Sequence, residues 1–155
     1  MTGKVKRSFR FDAAHRIAGG YIGKCSSLHG HSYCYTIHIA GSTNDNGIIV
    51  DDAIIALIQE WVNKFLNGAT IVAESDSQLA DALNAFDNPL QKTYVIPVQS
   101  TSVECLVEYI TGIVINYVLP CSSNYFVTGA QLTASNGDTS YYEVININSL
   151  KGSEK

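Results

Sequence analysis

Val5-Lys6-Arg7-Ser8-Phe9-Arg10-Phe11-Asp12-Ala13-Ala14-His15 alternates with a period of two: Val5, Phe9, Phe11 and Ala13 share one parity, and Lys6, Ser8, Arg10 and Asp12 the other. Successive side chains of an extended chain point to opposite faces, so this stretch reads as a strand with one buried side and one wet side. A glycine-containing connection, Gly19 to Gly23, leads to a second run of the same kind, in which Tyr33, Tyr35, Ile37 and Ile39 oppose Cys34, Thr36, His38 and Ala40. The two runs predict a hairpin.

Working outward, the turn residues Gly41 to Gly47 and a short run Ile48 to Val50 precede Asp51-Asp52. Ile54, Leu57, Ile58, Trp61, Val62 and Phe65 then recur at helical spacing, so a helix begins near Asp51. A weaker helical pattern, Leu79, Leu83 and Phe86, ends at Asp87-Asn88-Pro89, because the residue before proline is pushed out of helical geometry. Thr93 to Val98 reads as a short strand. Val103, Leu106, Val107, Ile110, Ile113, Val114 and Tyr117 form the clearest helical stripe, which stops at Pro120. Tyr125 to Thr133 and Ser140 to Ile147 are strand-like and flank Asn136-Gly137, a strong hairpin-turn signal. Hairpins with helices inserted between them predict an α+β domain whose antiparallel sheet is covered on one face.

At 155 residues, with no internal repeat, linker or low-complexity tract, the chain is expected to be one domain spanning 1–155. Charged residues make up 15% of it, against a usual share of about 25%. Less charged surface than normal points to contact between subunits. With a net charge of −4 and no cluster of Lys and Arg, the chain lacks the electrostatic footprint of a nucleic-acid binder. No apolar segment near Met1 resembles a signal peptide, so a cytoplasmic location is expected. Cys25, Cys34, Cys105 and Cys121 lack a CxxC pair and are expected to be reduced. No charge falls between Glu108 and Asp138, but polar residues and Pro120 interrupt that stretch, so a buried helix, turn and strand explain it better than a membrane span.

Three of the four histidines fall in one pattern: His15 ends the first strand, and His29-Gly30-His31 enters the second. Spacing of two on a strand puts His29 and His31 on one face, and a hairpin brings His15 close to them. Three neutral imidazoles without a fourth protein ligand describe a catalytic zinc site with an open position. Cys25 lies four residues before His29. It reads either as a small buried hydrophobe or as a thiolate nucleophile or base activated by a nearby metal.

Phe11-Asp12-Ala13-Ala14-His15-Arg16 and Lys24-Cys25-Ser26-Ser27-Leu28-His29-Gly30-His31-Ser32-Tyr33 resemble the two signature segments of the 6-pyruvoyl-tetrahydropterin synthase family, which includes the queuosine-pathway 6-carboxytetrahydropterin synthases. Gly47-Ile48-Ile49-Val50-Asp51 resembles that family's strand-to-helix junction, and Thr101-Ser102-Val103-Glu104 its Pro-Thr-x-Glu segment. The resemblance implies a T-fold: an antiparallel four-stranded sheet with two long helices on one face, assembled into oligomeric barrels as trimers or hexamers. It implies zinc on His15, His29 and His31, Cys25 as proton acceptor, a glutamate holding the pterin ring, and triphosphate elimination from dihydroneopterin triphosphate as the reaction.

Two departures stand beside the matches. Where many relatives carry a catalytic Asp-His pair, this chain has Asn67-Gly68, and neither residue shuttles a proton. Where relatives carry a Glu-Thr pair before the final hairpin turn, the chain reads Gln131-Leu132-Thr133-Ala134. Glu104 remains as a pterin anchor, although Thr101-x-x-Glu104 ahead of an apolar stripe also reads as a helix capping box. His38 lies opposite in parity to His29 and His31 and cannot replace the lost histidine. Three readings stay open: a pterin lyase, a relative recruited to a non-pterin elimination, cyclisation or condensation, and a non-catalytic, zinc-stabilised binding protein.

Overall fold

The computed structural model describes residues 1–144. The opening hairpin is longer than its apolar pattern. Strands β1 (Thr2–His15) and β2 (His29–Ser42) pair antiparallel along their whole length, from Thr2 opposite Ser42 to His15 opposite His29. Phe9, Phe11 and Ala13 of β1 and Tyr33, Tyr35, Ile37 and Ile39 of β2 are buried on the shared face. The opposite face of β1 exposes Lys4, Lys6, Ser8, Arg10 and Asp12. Ladder hydrogen bonds involve only the backbone, so pairing continues past the alternating residues.

Helix α1 (Asp52–Trp61) starts where the Asp51 carboxylate accepts from Ala53 N, and runs on through one wide turn, Val62–Leu66. It buries Ile55, Ile58, Val62 and Leu66. Helix α3 (Val103–Ile113) is likewise extended by a wide turn, Val114–Val118, just before Pro120, and buries Leu106, Val107, Ile110 and Val114. Both helices join one hydrophobic core with the inner faces of β1, β2 and β5 (Tyr125–Ala134). A polar link crosses that core, with the Tyr35 hydroxyl 3.0 Å from Thr111 Oγ1. The short helix α2 (Ser77–Asn84) forms a separate cluster, packing Leu79 and Leu83 on Val72.

The sheet has six strands rather than the expected four, in the order β4-β3-β1-β2-β5-β6. Strand β5 pairs antiparallel with β2, and β6 (Thr139–Glu143) with β5, completing the antiparallel half. The additional strands are β3 (Ala69–Ala73) and β4 (Thr93–Ile96), which run parallel to β1 and to each other. All five residues of β3 are buried, so it has no alternation to betray it, as is usual for a parallel strand covered on both faces. The strand expected over Ser140 to Ile147 is seen as β6; residues 145–147 lie outside the described residues. Among the described residues no helix is long and apolar enough to cross a membrane.

Candidate metal centre

The register of the hairpin decides the site. His15 and His29 are cross-strand partners and Ala13 faces His31, so the three imidazoles gather at one end of the sheet. One ring nitrogen from each lies within 4.8 Å of the others. The ring centroid of His15 is 4.7 Å from that of His29 and 5.3 Å from that of His31, and His29 Nε2 is 2.9 Å from His31 Nε2.

The other nitrogen of each ring is held by the protein. His15 Nδ1 lies 2.9 Å from the Thr101 carbonyl oxygen and 3.2 Å from its Oγ1. A carbonyl only accepts, so Nδ1 carries the proton and Nε2 keeps a lone pair. His29 Nδ1 donates to the Ser27 carbonyl at 2.7 Å, with the same consequence. His31 Nδ1 faces Ser135 Oγ at 3.3 Å, beside the turn between β5 and β6. Such outer partners fix the tautomer and orientation of metal-binding imidazoles.

Burial, opposed by the Thr101 hydrogen bond and reinforced by the charges of His29 and His31, pushes the pKa of His15 down to about 4. Burial and His29 also lower that of His31, against the pull of Asp138. The ring of His15 is therefore neutral at ordinary pH. Its Nε2 is buried without a hydrogen-bond partner among the described residues, which a metal ion would relieve. The donor set fits a cation that prefers imidazole and leaves a position free for substrate.

The segments leaving β1 and entering α3 are locked together. The Thr101 hydroxyl donates to the Arg16 carbonyl at 2.8 Å, and Arg16 forms a bidentate pair with Asp76 at 2.7 and 2.6 Å. Asp76 also caps α2 by accepting from Leu79 N. Thr101 thus holds the end of β1 and is not a capping-box residue. Helix α3 is capped instead by Ser102, whose Oγ accepts from Cys105 N, and Glu104 stands exposed in the first turn.

Cys25 is half-buried in the single-turn helix Lys24–Ser26, and its carbonyl accepts from Ile17 N at 2.7 Å, which folds the connecting loop back beside the end of β1. Tyr33 lies beneath the histidines, its ring centroid 5.5 Å from that of His31 and 6.2 Å from that of His15. Its hydroxyl is buried with no partner among the described residues, and burial together with the charge of Cys25 raises its pKa well above the usual phenol range. Asn67 and Gly68 lead into β3 and are bonded to β1: Asn67 Oδ1 accepts from Asp12 N at 3.0 Å, and Gly68 N donates to Asp12 O at 2.7 Å. A cavity of about 500 Å³ opens there, lined by Asp12, His31, Ser32, Gly68, Thr70 and Ser135 among others. His38 is remote, with its ring against Tyr141.

The sequence pattern identified the histidines but not Thr101, Tyr33 or Ser135. Nothing in the spacing distinguishes Thr101 from Ser102 as the capping hydroxyl, and Tyr33 reads only as one more core position of β2.

Fold and site together define a T-fold protein with a three-histidine centre that could hold a metal ion. The chain belongs to the 6-pyruvoyl tetrahydropterin synthase family, which matches residues 4–144. It is 28% identical over 109 residues to a 6-carboxy-5,6,7,8-tetrahydropterin synthase of Haemophilus influenzae, covering 65% of this chain and 74% of that one. A Halobacterium salinarum protein named as a probable 6-carboxy-5,6,7,8-tetrahydropterin synthase is 38% identical over 61 residues, which span 39% of this chain and 40% of the relative's length. In structure the chain is similar to an uncharacterized protein from Wolinella succinogenes, with a TM-score of 0.76 and 13% identity, covering 94% of this chain and 99% of that one. It is also similar to 6-pyruvoyl tetrahydropterin synthase from Plasmodium vivax, with a TM-score of 0.63 and 18% identity over 93% and 99% of the two chains.

Proposed function

We propose that this single-domain chain is a zinc-dependent lyase of the tetrahydropterin synthase type, acting on dihydroneopterin triphosphate or a closely related small molecule. The observation that carries this reading is the convergence of His15, His29 and His31, with outer nitrogens engaged by Thr101, Ser27 and Ser135 and a buried Nε2 of His15 left without a partner. His15, His29 and His31 would hold zinc, which when bound supplies Lewis acidity toward substrate oxygens.

The chain's own residues do the rest. The Cys25 thiolate accepts the proton of the acidified C–H bond, and the tie between Ile17 and the Cys25 carbonyl fixes its loop beside the histidines. Glu104, exposed three residues beyond the partner of His15, accepts from the N–H edge of the pterin. Thr101 sets the His15 tautomer, so that a lone pair rather than a proton faces the ligand. The uncovered sheet face, with Lys4, Lys6, Ser8 and Arg10 exposed, is the surface on which subunits would close a barrel, as a trimer or hexamer in the cytoplasm.

The test is turnover of zinc-loaded protein with dihydroneopterin triphosphate, following triphosphate release, with Cys25→Ala as control. Product that depends on Cys25 is expected. No product from protein that holds zinc would refute the reading and favour a second one: recruitment to a non-pterin elimination, cyclisation or condensation. That alternative is favoured by the Gln131–Ala134 stretch of β5, where Leu132 and Ala134 are buried and no carboxylate is present for a pterin.

A further inference from the structure

We propose that Tyr33 is the positioning residue of the proton-accepting cysteine, its hydroxyl donating a hydrogen bond to the Cys25 sulfur once that sulfur carries charge. The assignment rests on the lyase reading above and deepens it. A buried phenol with nothing to bond costs the fold stability, so its presence beside the histidines calls for a use.

Tyr33 belongs to the face of the histidines. It follows His31 by two residues and His29 by four on β2, so the three side chains share one side of the strand. Its ring stands edge-on to both His15 and His31, at interplanar angles of 79° and 75°. The neighbours across the sheet offer the hydroxyl no partner: Phe11 stacks on the ring at 5.0 Å, and Ala134 stands opposite on β5. Tyr35, the next tyrosine along the same face, is satisfied by Thr111, whereas no described residue satisfies Tyr33.

The donors that follow Cys25 in its own turn are spent. Ser26 N donates to Gly23 O, Ser27 N to Lys24 O, and the Ser26 hydroxyl to Gly23 O at 2.6 Å. The outer Nδ1 atoms of His15 and His29 are committed to Thr101 and Ser27. The bond from Ile17 N to the Cys25 carbonyl holds this turn beside the end of β1. Burial, reinforced by the charge of Cys25, keeps the Tyr33 phenol protonated and so able to donate. A neutral thiol is a weak acceptor and leaves that hydroxyl unpaired, whereas a thiolate is a strong one. Tyr33 therefore stabilises and aims the base, and none of its own covalent bonds is made or broken when the sulfur takes the C–H proton.

The experiment follows zinc-loaded wild type, Tyr33→Phe and Tyr35→Phe by two readouts. One is alkylation by iodoacetamide at pH 7, resolved for each cysteine by peptide mass spectrometry; the other is kcat and KM for triphosphate release from dihydroneopterin triphosphate. In Tyr33→Phe, Cys25 should alkylate about 3- to 10-fold more slowly while Cys34 and Cys105 keep their rates. The fall is moderated because a thiolate that loses a hydrogen bond is also more nucleophilic. Turnover should lose about 10-fold or more in kcat, with KM within about threefold, since the base loses its aim as well as its stabilisation. Tyr35→Phe should leave both readouts near wild type, because its hydroxyl serves Thr111. Unchanged or faster alkylation of Cys25 in Tyr33→Phe, equal slowing at Cys34 and Cys105, or a loss confined to KM would overturn the assignment. Slower alkylation of Cys25 alone, in a protein whose wild type shows no turnover, would uphold the contact and remove the lyase reading.

Discussion

Replacing Thr101 with Val tests whether the site is preorganised by the fold. The change conserves shape and removes one hydroxyl from a residue that is fully buried. Two contacts go with it: the 2.8 Å bond to the Arg16 carbonyl, and the 3.2 Å contact with His15 Nδ1. The 2.9 Å bond from His15 Nδ1 to the Thr101 carbonyl remains, so the ring keeps its tautomer but loses part of its orientation. A carbonyl left without its donor in a buried setting costs about 1–3 kcal/mol, so the variant should be destabilised by that amount in urea unfolding. Loss of an outer partner of a metal-binding imidazole typically weakens metal binding by about 10–100-fold, equivalent to about 1.4–2.7 kcal/mol. Competition with a chromogenic chelator reads this directly, and Thr101→Ser should stay near wild type because it keeps the hydroxyl. Wild-type zinc affinity in Thr101→Val, with unchanged stability, would refute the idea that this side chain holds His15.

His29→Ala should lower bound zinc from about one ion per chain to near zero by elemental analysis, and retained metal would remove the site. Tyr33→Phe should leave stability unchanged or raise it slightly, because its buried hydroxyl has no partner among the described residues to lose; a drop of more than about 1 kcal/mol in urea unfolding would show otherwise. The Asp76 carboxyl is held below its ordinary pKa chiefly by its hydrogen bond from Arg16, so it stabilises the fold above the ordinary carboxylate value near 4 and loses that contribution as pH falls through its folded value. Asp76→Asn should therefore be less stable than wild type at pH 7 by about 1–3 kcal/mol, and the gap should narrow in acid; a gap independent of pH would contradict the ion pair. Gly68→His should lose about 1–2 kcal/mol of stability, because a side chain is forced into φ +76°; an unchanged midpoint in thermal unfolding would mean the loop relaxes.

The antiparallel half of the sheet was legible because each of its strands has one wet face. In β1 and β2 the alternation of Phe9, Phe11 and Ala13 with Ser8, Arg10 and Asp12, and of Tyr33, Tyr35 and Ile37 with Cys34 and Thr36, separates core from surface residue by residue. Strand β3 escaped the same test because both of its faces are covered, and a run of five buried residues carries no period. Helices α1 and α3 were visible from their stripes, but the cap of α3 was not. Thr101 and Ser102 are adjacent hydroxyls, and only the path of the chain after β1 shows that Thr101 turns inward to His15 while Ser102 closes the helix.

The residues of the centre belong to the sequence alone: His15, His29 and His31 are set by composition and spacing, and the parity of a strand places the last two on one face whatever surrounds them. Their distance from one another belongs to the tertiary structure. It depends on the register that sets His15 opposite His29, which the buried rows of Phe11 and Tyr33, and of Phe9 and Tyr35, fix across the hairpin, since a slip of one residue would turn every core side chain to solvent. Tertiary structure likewise brings in Thr101 and Ser135, which lie 86 and 104 residues along the chain from the histidines they support. Hydrogen bonds across such separations leave no periodic trace, because they arise where packed elements meet rather than from the geometry of any one of them.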